Sequence, residues 1–124
     1  MKIIKALDKE WINGKGKRDY KKRIILENMP SAVNLIEDVI IPINGRIPSH
    51  SHKVTSEIFY ITEGKAKMTV GKKEFEVNPK DTIIVNTGEE HSFENNSNKN
   101  FEMLVLKINF EKDDAILYKE EVKS

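Results

Sequence analysis

The chain of 124 residues contains no cysteine. That absence excludes both a disulfide framework and a thiolate zinc site, and it suits a reducing compartment. No apolar run approaches the roughly 18 residues that a membrane helix needs. The opening MKIIKALDKEWINGKGK is too polar and too often charged to serve as a signal-peptide core. The expectation is a soluble, cytoplasmic protein. An excess of one charge is missing too: 21 Lys and Arg stand against 20 Asp and Glu. Such balance gives no global electrostatic reason to expect nucleic acid or an anionic membrane as a partner. Neither a phosphate-binding glycine loop nor a nucleophile elbow occurs, so covalent serine or cysteine catalysis has no support. Asn95-Asn96-Ser97 matches a glycosylation acceptor, which is incidental without a secretory signal.

What is present suits one domain with its own core. Residues 1–23 read as an N-terminal arm, 24–110 as a β-barrel and 111–124 as a tail or helix. The arm mixes a short apolar patch, with a short helix expected over 5–11, and a basic run of Lys15, Lys17, Arg18, Lys21, Lys22 and Arg23. That run is either a phosphate-contacting arm or a solvated entry to the fold. Without a recognition motif it is read as the latter.

From Arg23 onward the pattern is one of strands. Ile24–Leu26, Asn34–Ile43 and Glu57–Thr62 are rich in β-branched and aromatic residues, and Asn44-Gly45 is a strong turn signal. In KAKMTVGKKEFEV, Ala66, Met68 and Val70, then Phe75 and Val77, alternate with charged or polar residues. Period two puts the apolar side chains on one face and sets lysines against glutamates on the other. Asp81–Val85 and Phe101–Phe110 are more continuously apolar, which predicts cover on both faces. A terminal helix is expected over 111–122, starting near Asp113 or Asp114, with Ile116, Leu117 and Val122 as its apolar positions. Many short strands with Gly, Asn and Pro punctuation predict an antiparallel sandwich or barrel. A parallel α/β fold is not expected, because no amphipathic helix of roughly 10–15 residues separates the strands.

The chain has three histidines, and two of them are one residue apart. Residues i and i+2 of a strand share a face, so His50 and His52 aim two imidazoles at one point. Imidazole nitrogen is a good ligand for divalent transition metals, and a carboxylate adds charge compensation. Glu57 follows after Val54-Thr55-Ser56, which must bend to return it, and His91 lies in the turn-rich NTGEEHSFEN. Metal ligation and ordinary polar residues at strand ends both fit this spacing.

The surrounding residues carry more. Gly45-RIPS-His50-Ser51-His52-KVTS-Glu57-IFYITE-Gly64, followed by Asp81-TIIVNT-Gly88-EE-His91-SFE-Asn95, resembles the two motifs of the cupin superfamily, in its small single-domain, cupin 2 conserved-barrel type. The resemblance spans roughly residues 34–109. It implies an all-β fold, a double-stranded β-helix or jelly-roll barrel with a short N-terminal arm and a short C-terminal helix. It also implies that His50, His52, Glu57 and His91 are the ligands of one divalent metal ion inside the barrel. Three backbone positions depart from the family pattern. Gly45 is one residue nearer His50 than usual, Lys80 stands where glycine is common, and Asn86 where proline is typical.

If Glu57 points inward, parity brings Phe59 and Ile61 with it and turns Ile58 and Tyr60 outward. The same rule brings Phe93 and Asn95 inward beside His91. Phe59, Ile61 and Phe93 are thus the expected pocket lining, and Met68 is expected in the core. The apolar outer face needs cover, and the resemblance implies a homodimer. Mixed nitrogen and oxygen ligation suits Mn, Fe, Co, Ni or Zn. The functional expectation is a metal-dependent enzyme acting on a small oxygen-rich metabolite, by oxygenase, isomerase, lyase or sugar-acid ring-opening chemistry. Its alternative is a non-catalytic module that binds or senses a sugar or carboxylate.

Overall fold

The computed structural model describes residues 1–14 and 20–118. Lys15, Lys17 and Arg18 of the basic run lie outside the described residues, as does Val122. Among the described residues, in chain order, a 3-10 turn at Ala6–Asp8 precedes eleven strands. They are β1 (Ile12–Asn13), β2 (Lys21–Leu26), β3 (Val33–Ile41), β4 (Arg46–His52), β5 (Ser56–Glu63) and β6 (Ala66–Val70). After these come β7 (Lys73–Val77), β8 (Thr82–Val85), β9 (His91–Glu94), β10 (Phe101–Ile108) and β11 (Ala115–Leu117). No helix among the described residues is long and apolar enough to cross a membrane.

The strands form two sheets, β1-β2-β3-β10-β5-β8 and β11-β4-β9-β6-β7, with antiparallel neighbours throughout. The core lies between them. Strand alternation turns Val39, Ile41, Phe59, Ile61, Phe101, Met103 and Val105 of the first sheet toward Met68, Val77 and Phe93 of the second. Phe93 anchors the contact, with ring centroids 5.1 Å from Phe59 and 6.0 Å from Phe101. Burial of each such side chain contributes roughly 1.5–3 kcal/mol.

Turn chemistry closes the strands. Asn44 takes φ 66°, and the Gly45 N–H donates to Pro42 O at 2.8 Å. Gly71-Lys72 joins β6 to β7 as a two-residue hairpin loop, with Val70 opposite Lys73. Lys67 lies opposite Glu76 on β7, yet its ion pairs run diagonally to Glu74 at 3.8 Å and directly across to its register partner Glu94 of β9 at 3.2 Å.

Three expectations need correction. The N-terminal helix shrinks to the single turn Ala6–Asp8. β8 and β10 are not covered on both faces. β8 is the edge of its sheet, with Ile84 62% exposed, and β10 alternates buried with half-buried residues. No terminal helix begins at Asp113 or Asp114; Ala115–Leu117 instead pair as β11 with His52–His50 of β4. The reason is long-range strand pairing. The outer edge of β4 has free backbone groups, and Lys53 N–H donates to Asp114 O while Tyr118 N–H donates to Ser49 O. Asp113 turns the chain there with φ 63°.

Candidate metal centre

β4 ends in His50 and His52, and β9 begins with His91, so the five-stranded sheet supplies all three imidazoles. His50 and His91 are register partners, with ring centroids 4.3 Å apart. Glu57 comes from β5 of the opposite sheet and faces them across the barrel interior. One ligand atom from each of His50, His52, Glu57 and His91 can be chosen so that all lie within 4.8 Å of one another.

The three rings are fixed from behind by their Nδ1 atoms. His50 Nδ1 lies 2.8 Å from Pro48 O, His91 Nδ1 3.0 Å from Glu89 O, and His52 Nδ1 2.8 Å from Asp114 Oδ1. Each of those partners only accepts, so each Nδ1 is the donor and each Nε2 is left with its lone pair in the neutral ring. His91 Nε2 and His52 Nε2 both stand 3.0 Å from Glu57 Oε1. Buried His52 Nε2 nevertheless has no aligned hydrogen-bond partner. A neutral imidazole lone pair facing a carboxylate oxygen, without a proton directed between them, suits a cation shared by both. The donor set therefore fits a divalent ion bound by three imidazole nitrogens and one carboxylate.

The electrostatics prepare the ligands. Burial first, and then the neighbouring His91, lower the His50 pKa to about 4, so His50 is neutral at pH 7. Burial would raise Glu57, but the imidazoles of His52 and His91, each with Nε2 3.0 Å from Glu57 Oε1, and the charge of Lys107 hold it well below the usual carboxylate range. His52 is raised: burial opposes its charge, and the carboxylates of Glu57 and Asp114 on its two sides outweigh burial. Asp114 is brought to about 2, because the Thr55, His52 and Val54 hydrogen bonds exceed the upward push of burial.

Turn residues outside the regular family pattern serve this geometry. Lys80, at φ 75°, donates its N–H to Ile61 O at 2.7 Å. The Asn86 N–H, which proline would lack, donates to Glu89 Oε1 at 2.8 Å. That bond closes the turn carrying Gly88, whose N–H reaches His52 O at 2.9 Å.

A cavity of about 600 Å³ opens beside the ligands and is lined by His50, His52 and Glu57. Phe59 and Phe93 line it as well; Ile61 is fully buried in the core and is not part of the wall. His91 is 1% exposed behind the other ligands. Asn95 is also buried, but its amide donates to Ile41 O, Pro42 O and Lys99 O, a structural task away from the ligands. Sequence reasoning missed Asp114, Glu37 and Lys107, all buried at the cavity wall. Glu37 and Lys107 carried a readable signal: each occupies an inward position in an otherwise apolar alternation.

The family model described as "Cupin domain" matches residues 38–107. An uncharacterised protein of Methanocaldococcus jannaschii is 35% identical over 63 residues, 51% of this chain and 50% of that protein. The chain thus spans about half the length of this relative. A Thermotoga maritima protein named oxalate-binding protein is 27% identical over 95 residues, covering 77% of this chain and 78% of that one. Among solved structures, one described as a predicted oxalate decarboxylase from Thermotoga maritima superposes with a TM-score of 0.71 at 21% identity. It covers 86% of this chain and 98% of that one, and shows the same fold. With more than half of its length matched by the family model, the chain belongs to the cupin domain family.

Proposed function

We propose that the protein is a metal-dependent cupin enzyme acting on a small oxygen-rich metabolite. His50, His52, Glu57 and His91 would hold one divalent ion, Mn, Fe, Co, Ni or Zn. The observation that carries this reading is the convergence of three imidazoles, each tethered at Nδ1, on Glu57, with buried His52 Nε2 3.0 Å from Glu57 Oε1 but without an aligned hydrogen bond. When bound, such an ion supplies Lewis acidity, polarising a carbonyl or lowering the pKa of a bound water. The chain's own part is orientation and exclusion of water. Phe59, Phe93, Met103 and Val105 give the cavity apolar walls, so a ligand is held mainly through its polar contacts. The Thermotoga maritima relative's name supports the alternative, a carboxylate-binding module without turnover.

Metal analysis of protein purified without chelators tests the site. About one divalent ion per chain is expected, and none in a His50→Ala/His91→Ala variant. Protein that cannot be loaded with any of the five ions overturns the assignment. Turnover of small acids or sugars by the loaded protein supports an enzyme; saturable binding without turnover across the panel supports the binding module. A homodimer through the outer face of the first sheet, where Tyr60 is 37% and Ile84 62% exposed, belongs to the same proposal. Sedimentation equilibrium at micromolar concentration decides it.

A further inference from the structure

Two inward positions of the barrel wall carry charges that the metal ligands do not include. On β10 the series Phe101, Met103, Val105 continues into Lys107, and on β3 Glu37 interrupts Leu35, Val39 and Ile41. Lys107 is 8% exposed and Glu37 5%, and Lys107 is the one buried lysine or arginine among the described residues. Its Nζ stands 3.4 Å from Glu37 Oε1 and 5.3 Å from the centroid of the Phe110 ring. Both residues line the cavity that His50, His52 and Glu57 also line.

A core does not need this pair. Desolvation offsets most of the attraction in a buried ion pair, and apolar residues of similar volume stabilise a core as well or better. Adjacent inward positions on both strands are such residues. The register places Lys107 directly opposite Glu57, so the ammonium stands beside the ligand set. A cation cannot itself join that set. An ammonium has three donors, and one contact at 3.4 Å to Glu37 engages at most one strongly. The cavity therefore has two cationic poles once an ion is bound, with apolar wall around them. The second pole is Lys107 together with Lys22, whose Nζ stands 4.0 Å from Glu37 Oε2 at the same cavity. Two ammoniums around one carboxylate leave one net positive charge, without an arginine fork or a helix N-terminus, which matches the single charge of a carboxylate better than a phosphate.

We propose that Lys107, held by Glu37, receives a second carboxylate of the ligand, so that the cavity takes small diacids. One end of the diacid chelates the ion and the far carboxylate rests on the ammonium. This rests on the metal assignment above. The probes share one chelating end: malate against 2-hydroxybutyrate, and 2-hydroxyglutarate against 2-hydroxyvalerate. In each pair a methyl group replaces the far carboxylate. Titration calorimetry on ion-loaded protein should show at least one diacid binding tenfold or more tighter than its partner. A Lys107→Met/Glu37→Gln variant, which leaves no unpaired buried charge, should lose that preference while keeping about one ion per chain. Lys107→Arg should retain part of it.

Loaded protein that binds each monoacid as tightly as its diacid, or binds none of the four probes, overturns the proposal and leaves the metal assignment standing. So does a preference that persists in the double variant. If the double variant does not fold, the comparison on the unaltered protein decides alone. Protein that takes up no ion overturns both readings.

Discussion

Asp114 Oδ1 lies 2.8 Å from His52 Nδ1, joining the C-terminal segment to the ligand-bearing end of β4. The other oxygen of the same carboxylate accepts the N–H groups of Val54 at 3.1 Å and Thr55 at 2.9 Å. One buried side chain thus orients an imidazole and shapes the bend that returns Glu57. Conservative replacement separates these tasks. A side-chain amide in its place would offer only one oxygen, leaving either His52 or the backbone pair without an acceptor. Asp114→Asn should weaken metal affinity roughly 10–100-fold and reduce stability by about 1–3 kcal/mol. Competition against a chromophoric chelator and denaturant unfolding read the two effects. Unchanged affinity would show that His52 needs no tether.

The ion-free protein should be most stable near pH 6–6.5. His50 is lowered to about 4, so between pH 6.5 and 4 the unfolded chain takes up a proton that the folded chain refuses. Stability falls as pH falls through that window, by a loss on the order of 3 kcal/mol. His52 is raised, so its attraction to Glu57 and Asp114 is fully present below the unfolded value and is lost as pH rises through the folded one. Ion-loaded protein should lack the alkaline slope, because His52 Nε2 is then a ligand and carries no proton. Denaturant midpoints across pH 5–9, with chelator and with ion, check both arms.

Gly64 and Gly71 should respond differently to alanine. Both have positive φ, 74° and 60°. A Cβ at Gly64 would sit 2.4 Å from the Asn100 carbonyl oxygen, a backbone atom, whereas one at Gly71 meets nothing within 4 Å. Gly71→Ala should cost roughly 1–2 kcal/mol, the left-handed penalty alone. Gly64→Ala adds overpacking of about 1–3 kcal/mol. Equal losses by chemical denaturation would refute the distinction.

Glu102→Gln should stabilise the protein at neutral pH. Glu102 is the register partner of Glu63 where the β10–β5 ladder shifts, and hydrogen bonding to Glu63, then burial, then the Glu63 charge raise its pKa. The folded chain holds that proton more tightly than the unfolded chain, so the penalty exists above the raised pKa and is relieved as pH falls. A gain of roughly 0.2–1 kcal/mol at pH 7 is expected, shrinking toward pH 4. A gain independent of pH would point to another cause.

Sequence alone determined the barrel's main strands, the tight turns and the imidazole pair, because each depends on neighbours along the chain. Alternation in Ala66–Val77 made the hairpin legible, Asn44-Gly45 marked a turn, and the spacing of His50 and His52 put both rings on one face. Those properties follow from the two-residue period of a strand and from which residues tolerate positive φ. Tertiary structure decided what long-range pairing controls. Residues 115–117 hold no mark that a free edge of β4 will capture them as a strand, and a helix was the natural local reading. Asp114 is 62 residues from the imidazole it orients, so no local pattern could link them. Glu57 approaches from the opposite sheet, and Lys107 becomes its neighbour only when β10 pairs with β5. The charge on Lys107 was visible in the sequence; its burial beside the ligand set came from the closing of the barrel, which removes both side chains from water together.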